Sequence, residues 1–185
     1  MNYGEIKQKI IEQGVIPDLG GRPDGKMMQN PHELASFLVW LEGQGIPKNY
    51  LEIGTSYGGL LKLMRSLGIE GWGIDRHIIP TEVEAGLVYH NASGAVDTLD
   101  WARLRSPFDL VFIDGDHRYE MVKKDYQNYK GMADRFIVFH DICGLRECEG
   151  VKKFWEEIKE DKQFREFIKE DDPAHQVGIG VIWKE

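Results

Sequence analysis

Short apolar runs alternate with amphipathic stretches along most of this chain. The runs are "YLEI" (50–53), "GWGI" (71–74), "LVYH" (87–90), "FDLVFI" (108–113) and "FIVFH" (136–140). Between them, residues 59–67, 94–104 and 119–130 carry a helical spacing of apolar positions. Strands alternating with helices imply right-handed crossovers, so the pattern predicts an α/β fold: a doubly wound, mainly parallel, Rossmann-like sheet. Ahead of the first strand, Ile6, Ile10 and Ile11 mark a helix over 3–13, and "HELASFLVWLEGQG" reads as another that ends at its glycines. "VKKFWEEIKE" (151–160) gathers Val151, Phe154, Trp155 and Ile158 on one face. "FREFIKE" and "VGIGVIW", separated by "DDPAHQ", fit an antiparallel pair closing one sheet edge. Phe154, Trp155 and Trp183 are assigned to the core, and Lys123, Lys124 and Asp125 to a solvated helix face.

The segment "GVIPDLGGRPDGKMMQNP" (14–31) interrupts this regularity with four glycines and three prolines. A loop of that length needs a use, and a lid or substrate loop is the expectation. With no repeat, low-complexity tract or linker, residues 1–185 are expected to form one domain, with 1–45 supplying N-terminal helices and the loop. The chain has 31 acidic and 23 basic residues, a net charge of −8, which argues against a broad nucleic-acid surface. Nothing resembles a signal peptide or a membrane span. Cys143 and Cys148, spaced C-x4-C, cannot close a four-ligand zinc site and read as reduced cytoplasmic thiols. Oligomeric state is open, a homo-oligomer included.

"LEIGTSYGG" (51–59) supports two incompatible chemistries. Gly54 to Gly58 fit G-x-S-x-G, the elbow that exposes a nucleophilic serine. The same residues read as a strand running into a glycine turn that opens a helix, as in nucleotide-binding α/β proteins. The next strand decides in favour of the second. "GWGIDR" ends in Asp75, 21 residues after Gly54, an offset at which a carboxylate reaches a ribose diol. The hydrolase reading requires Ser56, Asp141 and His175 in order, without an oxyanion loop ahead of Ser56. A nicotinamide dehydrogenase fits worse, because Ser56 replaces the middle glycine of its fingerprint and no second nucleotide-binding half follows.

"LEIGTSYGG", "GIDR", "FDLVFIDGDHRYEMVKKD" and "FIVFHD" together resemble successive motifs of class I S-adenosylmethionine-dependent methyltransferases. The resemblance covers roughly residues 30–185 and is nearest to small-molecule O-methyltransferases of the catechol, macrocin and cephalosporin type. It implies seven strands with the last reversed. It also implies that Glu52, Gly54, Thr55, Ser56, Tyr57 and Gly58 take the amino-acid part of S-adenosylmethionine. Asp75, with Arg76 beside it, would meet the ribose, Asn91, Ala92 and Ser93 the adenine, and Asp114 the cofactor edge. Metal-dependent relatives carry an acid at the Asp114 position and a pair of acids, or Asp-Asn, where this chain has His140 and Asp141. His140 departs from that pattern.

The residues themselves make "FIDGDHRYE" and "FHD" the densest chemistry in the chain. Neighbouring parallel strands lie about 4.8 Å apart, so groups at the ends of both can converge. Asp114, Asp116, His140 and Asp141 are candidate ligands for Mg²⁺ or another divalent metal, which would acidify an acceptor hydroxyl. His117 is the candidate general base, with Asp114 and Asp141 beside it as catalytic candidates. Structural readings compete: Asp116 as a helix cap, and His140 as a buried fastener of two strand ends. Tyr57, Tyr119, Gln29 and Asn30 flank the region. The expected activity is methyl transfer to a hydroxyl of a sugar- or phenol-like small molecule. The rivals are a cofactor-binding regulatory domain without transfer and a serine hydrolase acting through Ser56.

Overall fold

The computed structural model describes residues 2–13, 28–76, 88–90, 95–145, 147–171 and 176–183. Most of the 14–31 loop and the Asn91–Ser93 and His175 assignments lie outside the described residues.

Two helices, α1 (Tyr3–Gln13) and α2 (Pro31–Gly43), precede β1 (Asn49–Ile53). Asn30 starts α2 by accepting the His32 N–H, with Pro31 in the first turn where its missing N–H is harmless. The chain then alternates through α3 (Gly59–Ser66), β2 (Glu70–Asp75), β3 (Val88–His90), α4 (Ala95–Arg103), β4 (Phe108–Ile113) and α5 (Tyr119–Tyr129). A short 3-10 turn (Lys130–Met132) leads into β5 (Ala133–His140), followed by α6 (Glu149–Lys159), β6 (Gln163–Phe167) and β7 (Ile179–Trp183). The expected elements are all present, with ends shifted by up to three residues.

The sheet has seven strands in the order β3-β2-β1-β4-β5-β7-β6. Strands β1 to β5 pair in parallel, and β7 runs antiparallel to both β5 and β6. Successive side chains of a strand face opposite sides, and the sequence supplies apolar residues for both. Tyr50, Leu110, Phe112, Phe136, Val138, Ile179 and Val181 meet α1, α2 and α3 on one side. Leu51, Ile53, Val111, Ile113, Ile137, Phe139 and Ile182 meet the layer of α5 and α6 on the other. Phe154 and Trp155 are buried there as assigned. Trp183 is half-buried against Trp40, with its Nε1 donating to Gln163 Oε1 at 2.6 Å.

Strand order reverses between β1 and β4, whose carboxyl ends meet around Gly54. Asp114 N–H donates to Ile53 O and Gly54 N–H to Ile74 O, both at 2.8 Å. A Cβ on Gly54 would lie 2.1 Å from the Asp114 carbonyl oxygen, and its φ of +87° is one that other residues rarely adopt. Gly54→Ala should therefore cost about 2 kcal/mol or more. Urea unfolding of the purified variant checks this; a midpoint equal to wild type would contradict it.

Candidate active site

The turn after β1 builds one wall of the site. Ser56, at φ +49°, turns its backbone N–H onto Asp75 Oδ2 at 2.8 Å, so the end of β2 closes the glycine turn. Gly58, also at positive φ, caps α3 and leaves that helix's first N–H groups facing the turn. Glu52 lies fully buried beneath, with the Tyr50 hydroxyl donating to it at 3.2 Å. Burial, followed by repulsion from Asp114, holds the Glu52 carboxyl well above its ordinary pKa. Asp75 adds to the repulsion. Three acids thus share one corner where a cation would relieve all of them.

The ends of β4 and β5 build the opposite wall. Asp114 Oδ2 accepts Gln29 Nε2 at 2.6 Å, and Asp114 Oδ1 lies 3.1 Å from His140 Nδ1. The same nitrogen is 3.1 Å from Asp141 Oδ2. Asp141 has φ +63°, uncommon for a residue with a side chain, and this backbone turn aims its carboxylate back at both histidines. His117 Nε2 stands 3.2 Å from Asp141 Oδ2, while His117 Nδ1 meets Cys148 Sγ at 3.2 Å. Gly150 makes that last contact feasible, since a Cβ there would lie 2.3 Å from the Tyr119 backbone nitrogen.

Electrostatics follow from this geometry. Burial alone would lower the His140 pKa, but the Asp114 and Asp141 carboxylates outweigh it and hold the imidazole well above its ordinary value. Asp141 is buried too, yet His140 and His117 draw it far below the carboxylate range. Hydrogen bonds to Asp141 and then to Cys148 raise His117 from 6.5 to about 10. Both nitrogens of His117 are engaged, and the ring is protonated at neutral pH.

The structure brings together Asp114, His117, His140 and Asp141, but not Asp116. Asp116 accepts the Arg118 backbone N–H at 3.1 Å and its guanidinium, and lies 3.8 Å from Arg76. The Arg118 hydrogen bonds keep the Asp116 carboxyl below its usual pKa. It braces the residue before α5, close to the capping reading. Among the described residues, two groups of donor atoms lie within 4.8 Å of one another: Asp114 with His140 and Asp141, and His117 with Asp141 and Cys148. The first is a weak match for a divalent ion, because an imidazole nitrogen already stands between its carboxylates. Of the hydrolase set, Asp141 faces His117 and His140, and His175 lies outside the described residues.

Gln29, placed beside the region by the sequence, reaches Asp114. Three participants escape sequence reasoning. Glu33 reaches the site region from α2, and Cys148 does so from the start of α6. Asp125 was grouped with the solvated face, but it is partly buried under the Gly115 turn, and burial with repulsion from Asp116 raises it to about 6. Its spacing from Val122 and Tyr129 was the available signal.

Residues 51–142 match the family model of a methyltransferase domain. Among curated proteins, none matches the sequence. Among solved structures, the O-methyltransferase from Bacillus cereus in complex with SAH superposes with a TM-score of 0.59 at 16% identity, over 98% of this chain and 90% of that one. The O-methyltransferase TomG from Streptomyces achromogenes, involved in tomaymycin synthesis and solved with SAM, gives 0.61 at 17%, over 98% and 88%. MycE methyltransferase from the mycinamycin biosynthetic pathway, in complex with Mg, SAH and mycinamycin VI, gives 0.60 at 16%. There, 98% of this chain spans 54% of MycE.

The raised pKa of His117 has a consequence for stability with a definite sign. Its contribution is complete below about 6.5 and is lost as pH rises through about 10. Wild-type stability should decline across that interval, and Asp141→Asn should flatten the decline. Denaturant midpoints taken at successive pH values check this, together with NMR titration of the His117 ring, which should remain protonated at pH 8 in wild type alone.

Proposed function

We propose that this chain, whose residues 51–142 match a methyltransferase-domain model, transfers a methyl group from S-adenosylmethionine to a hydroxyl of a small molecule. The acid corner of Glu52, Asp75 and Asp114 around the glycine turn carries this reading. It lies at the switch point of the sheet, where open α/β folds bind ligands. An ammonium, a sulfonium and a ribose diol are what three acids at that corner suit.

When bound, S-adenosylmethionine supplies a methyl group made electrophilic by its sulfonium sulfur. Glu52 and the turn from Gly54 to Gly58 hold the amino-acid part, and the first N–H groups of α3 favour its carboxylate. Asp75, beside Arg76, orients the ribose. Asn91, Ala92 and Ser93 are assigned to the adenine. Asp114, His117 and Asp141 form the rim where the acceptor hydroxyl approaches.

His117 accepts the hydroxyl proton once its own has left, with Asp141 fixing the ring. The base form of His117 grows roughly tenfold per pH unit, so transfer should accelerate from neutral pH towards about 10.

A sugar- or phenol-like acceptor is supported by the company of TomG and MycE, named for tomaymycin and mycinamycin synthesis. No helix among the described residues is long and apolar enough to cross a membrane. Free thiols at Cys143 and Cys148 suit a cytoplasmic protein of one domain over residues 1–185. The 14–31 segment ends beside Gln29, which reaches Asp114, and this supports its assignment as a lid over the acceptor.

Calorimetric titration with S-adenosylhomocysteine tests the reading. Affinity on the order of micromolar is expected, weakened about tenfold or more by Asp75→Ala. Labelled methyl should then pass to phenolic or glycosidic acceptors. Absence of binding would overturn the proposal; binding with no transfer to any acceptor would favour a cofactor-binding regulatory domain.

A further inference from the structure

We propose that the Nδ1–H of His140 fills the position a divalent cation would take between Asp114 and Asp141, so that the rim works without a metal ion. The inference rests on the methyltransferase reading only for what the rim is used for.

The geometry is that of a shared proton. His140 Nδ1 lies 3.1 Å from Asp114 Oδ1 and 3.1 Å from Asp141 Oδ2. Ionised carboxylates only accept, so one nitrogen can bond both only by presenting its hydrogen. The same two carboxylates hold further partners. Asp114 Oδ2 takes Gln29 Nε2 at 2.6 Å, and Asp141 Oδ2 also faces His117 Nε2 at 3.2 Å.

The second ring nitrogen lacks the support a metal ligand would have. His140 Nε2 is buried without a hydrogen-bond partner. Metal-ligating histidines almost always donate their second N–H to a carboxylate, carbonyl or water, which fixes the ring and raises its basicity. His140 lacks that support. Its ring is instead held through Nδ1 alone, by two carboxylates.

Charge completes the argument. The Asp114 and Asp141 carboxylates favour the charged form of His140 against its burial, and that charge offsets part of theirs. A divalent ion would have to expel the proton of His140 from between the carboxylates and leave the His117 charge uncompensated. Asp116, the additional acid that could offset this, is turned to Arg118 and Arg76. Buried Glu33 and Glu52 lie close enough for the His140 charge to favour their ionised forms, so the cation serves more than its two direct partners. His140 is thus a positioning residue: it binds the ends of β4 and β5 together and keeps Asp141 aimed at His117.

Two readouts on the full chain test this: melting temperature, and affinity for S-adenosylhomocysteine, each in EDTA and in excess Mg²⁺ or Mn²⁺. Wild type should melt at the same temperature in both media, with affinity changing by less than about twofold. His140→Asp, which places a third carboxylate between Asp114 and Asp141 in place of the ring, should melt lower in EDTA and recover with Mg²⁺. Its affinity for S-adenosylhomocysteine should then become metal-dependent by about tenfold or more.

A metal-induced rise in wild-type melting or affinity, abolished in Asp141→Asn, would overturn the inference. If His140→Asp does not fold, the comparison of wild type with Asp141→Asn decides alone. Should S-adenosylhomocysteine fail to bind, the functional reading falls, while the melting response to metal still decides this one.

Discussion

Carboxylates repel, and this fold gathers Glu33, Glu52, Asp114 and Asp141 around the ends of three neighbouring elements, away from bulk water. Like charges buried together are tolerated only where each is neutralised or paired. The chain uses three devices. Glu52 is pushed towards its neutral form by burial and by Asp114. Glu33 accepts two backbone N–H groups. Asp114 and Asp141 share the imidazole of His140, the one positively charged ring in contact with both. The left-handed backbone at Asp141, the engagement of both His117 nitrogens and the reach of Gln29 all serve this compensation. Beside Gly54 the compensation is incomplete, because Glu52 still feels both Asp114 and Asp75.

The architecture was legible because a doubly wound sheet writes its order into the sequence. Each buried strand is a short apolar run, and each crossover is an amphipathic helix of sufficient length. Strand-end positions were legible for the same reason. In a parallel sheet the residue after each apolar run faces the same rim, which picks out Gly54, Asp75, Asp114 and Asp141 without coordinates.

What the sequence could not convey were contacts between distant segments. Gln29 and Asp114 are 85 residues apart, and neither periodicity nor spacing links them. The Cys148 thiol meets His117 only because Gly150 lets the start of α6 press against the residues around Tyr119. Protonation was equally hidden. His117 looks like a base poised at neutral pH until Asp141 and Cys148 are found on its two nitrogens. Asp116 looks like one more acid of the cluster until Arg118 is seen to claim it. Residue type suggests a chemistry; which neighbour holds the proton is a tertiary fact.

Glu33 has a further implication for how this scaffold can change. Its Oε1 accepts the Lys169 N–H at 3.0 Å and its Oε2 the Gly178 N–H at 2.8 Å, the two shoulders of the connection from β6 to β7. One side chain on α2 thereby closes that excursion at its base, like a clasp around the neck of a bag. From within the connection, Gln176 Nε2 donates to Lys169 O at 2.7 Å, and Val177 O accepts the Cys143 N–H at 3.0 Å. A change at this neck would therefore be felt on α2, after β5 and at β7 together.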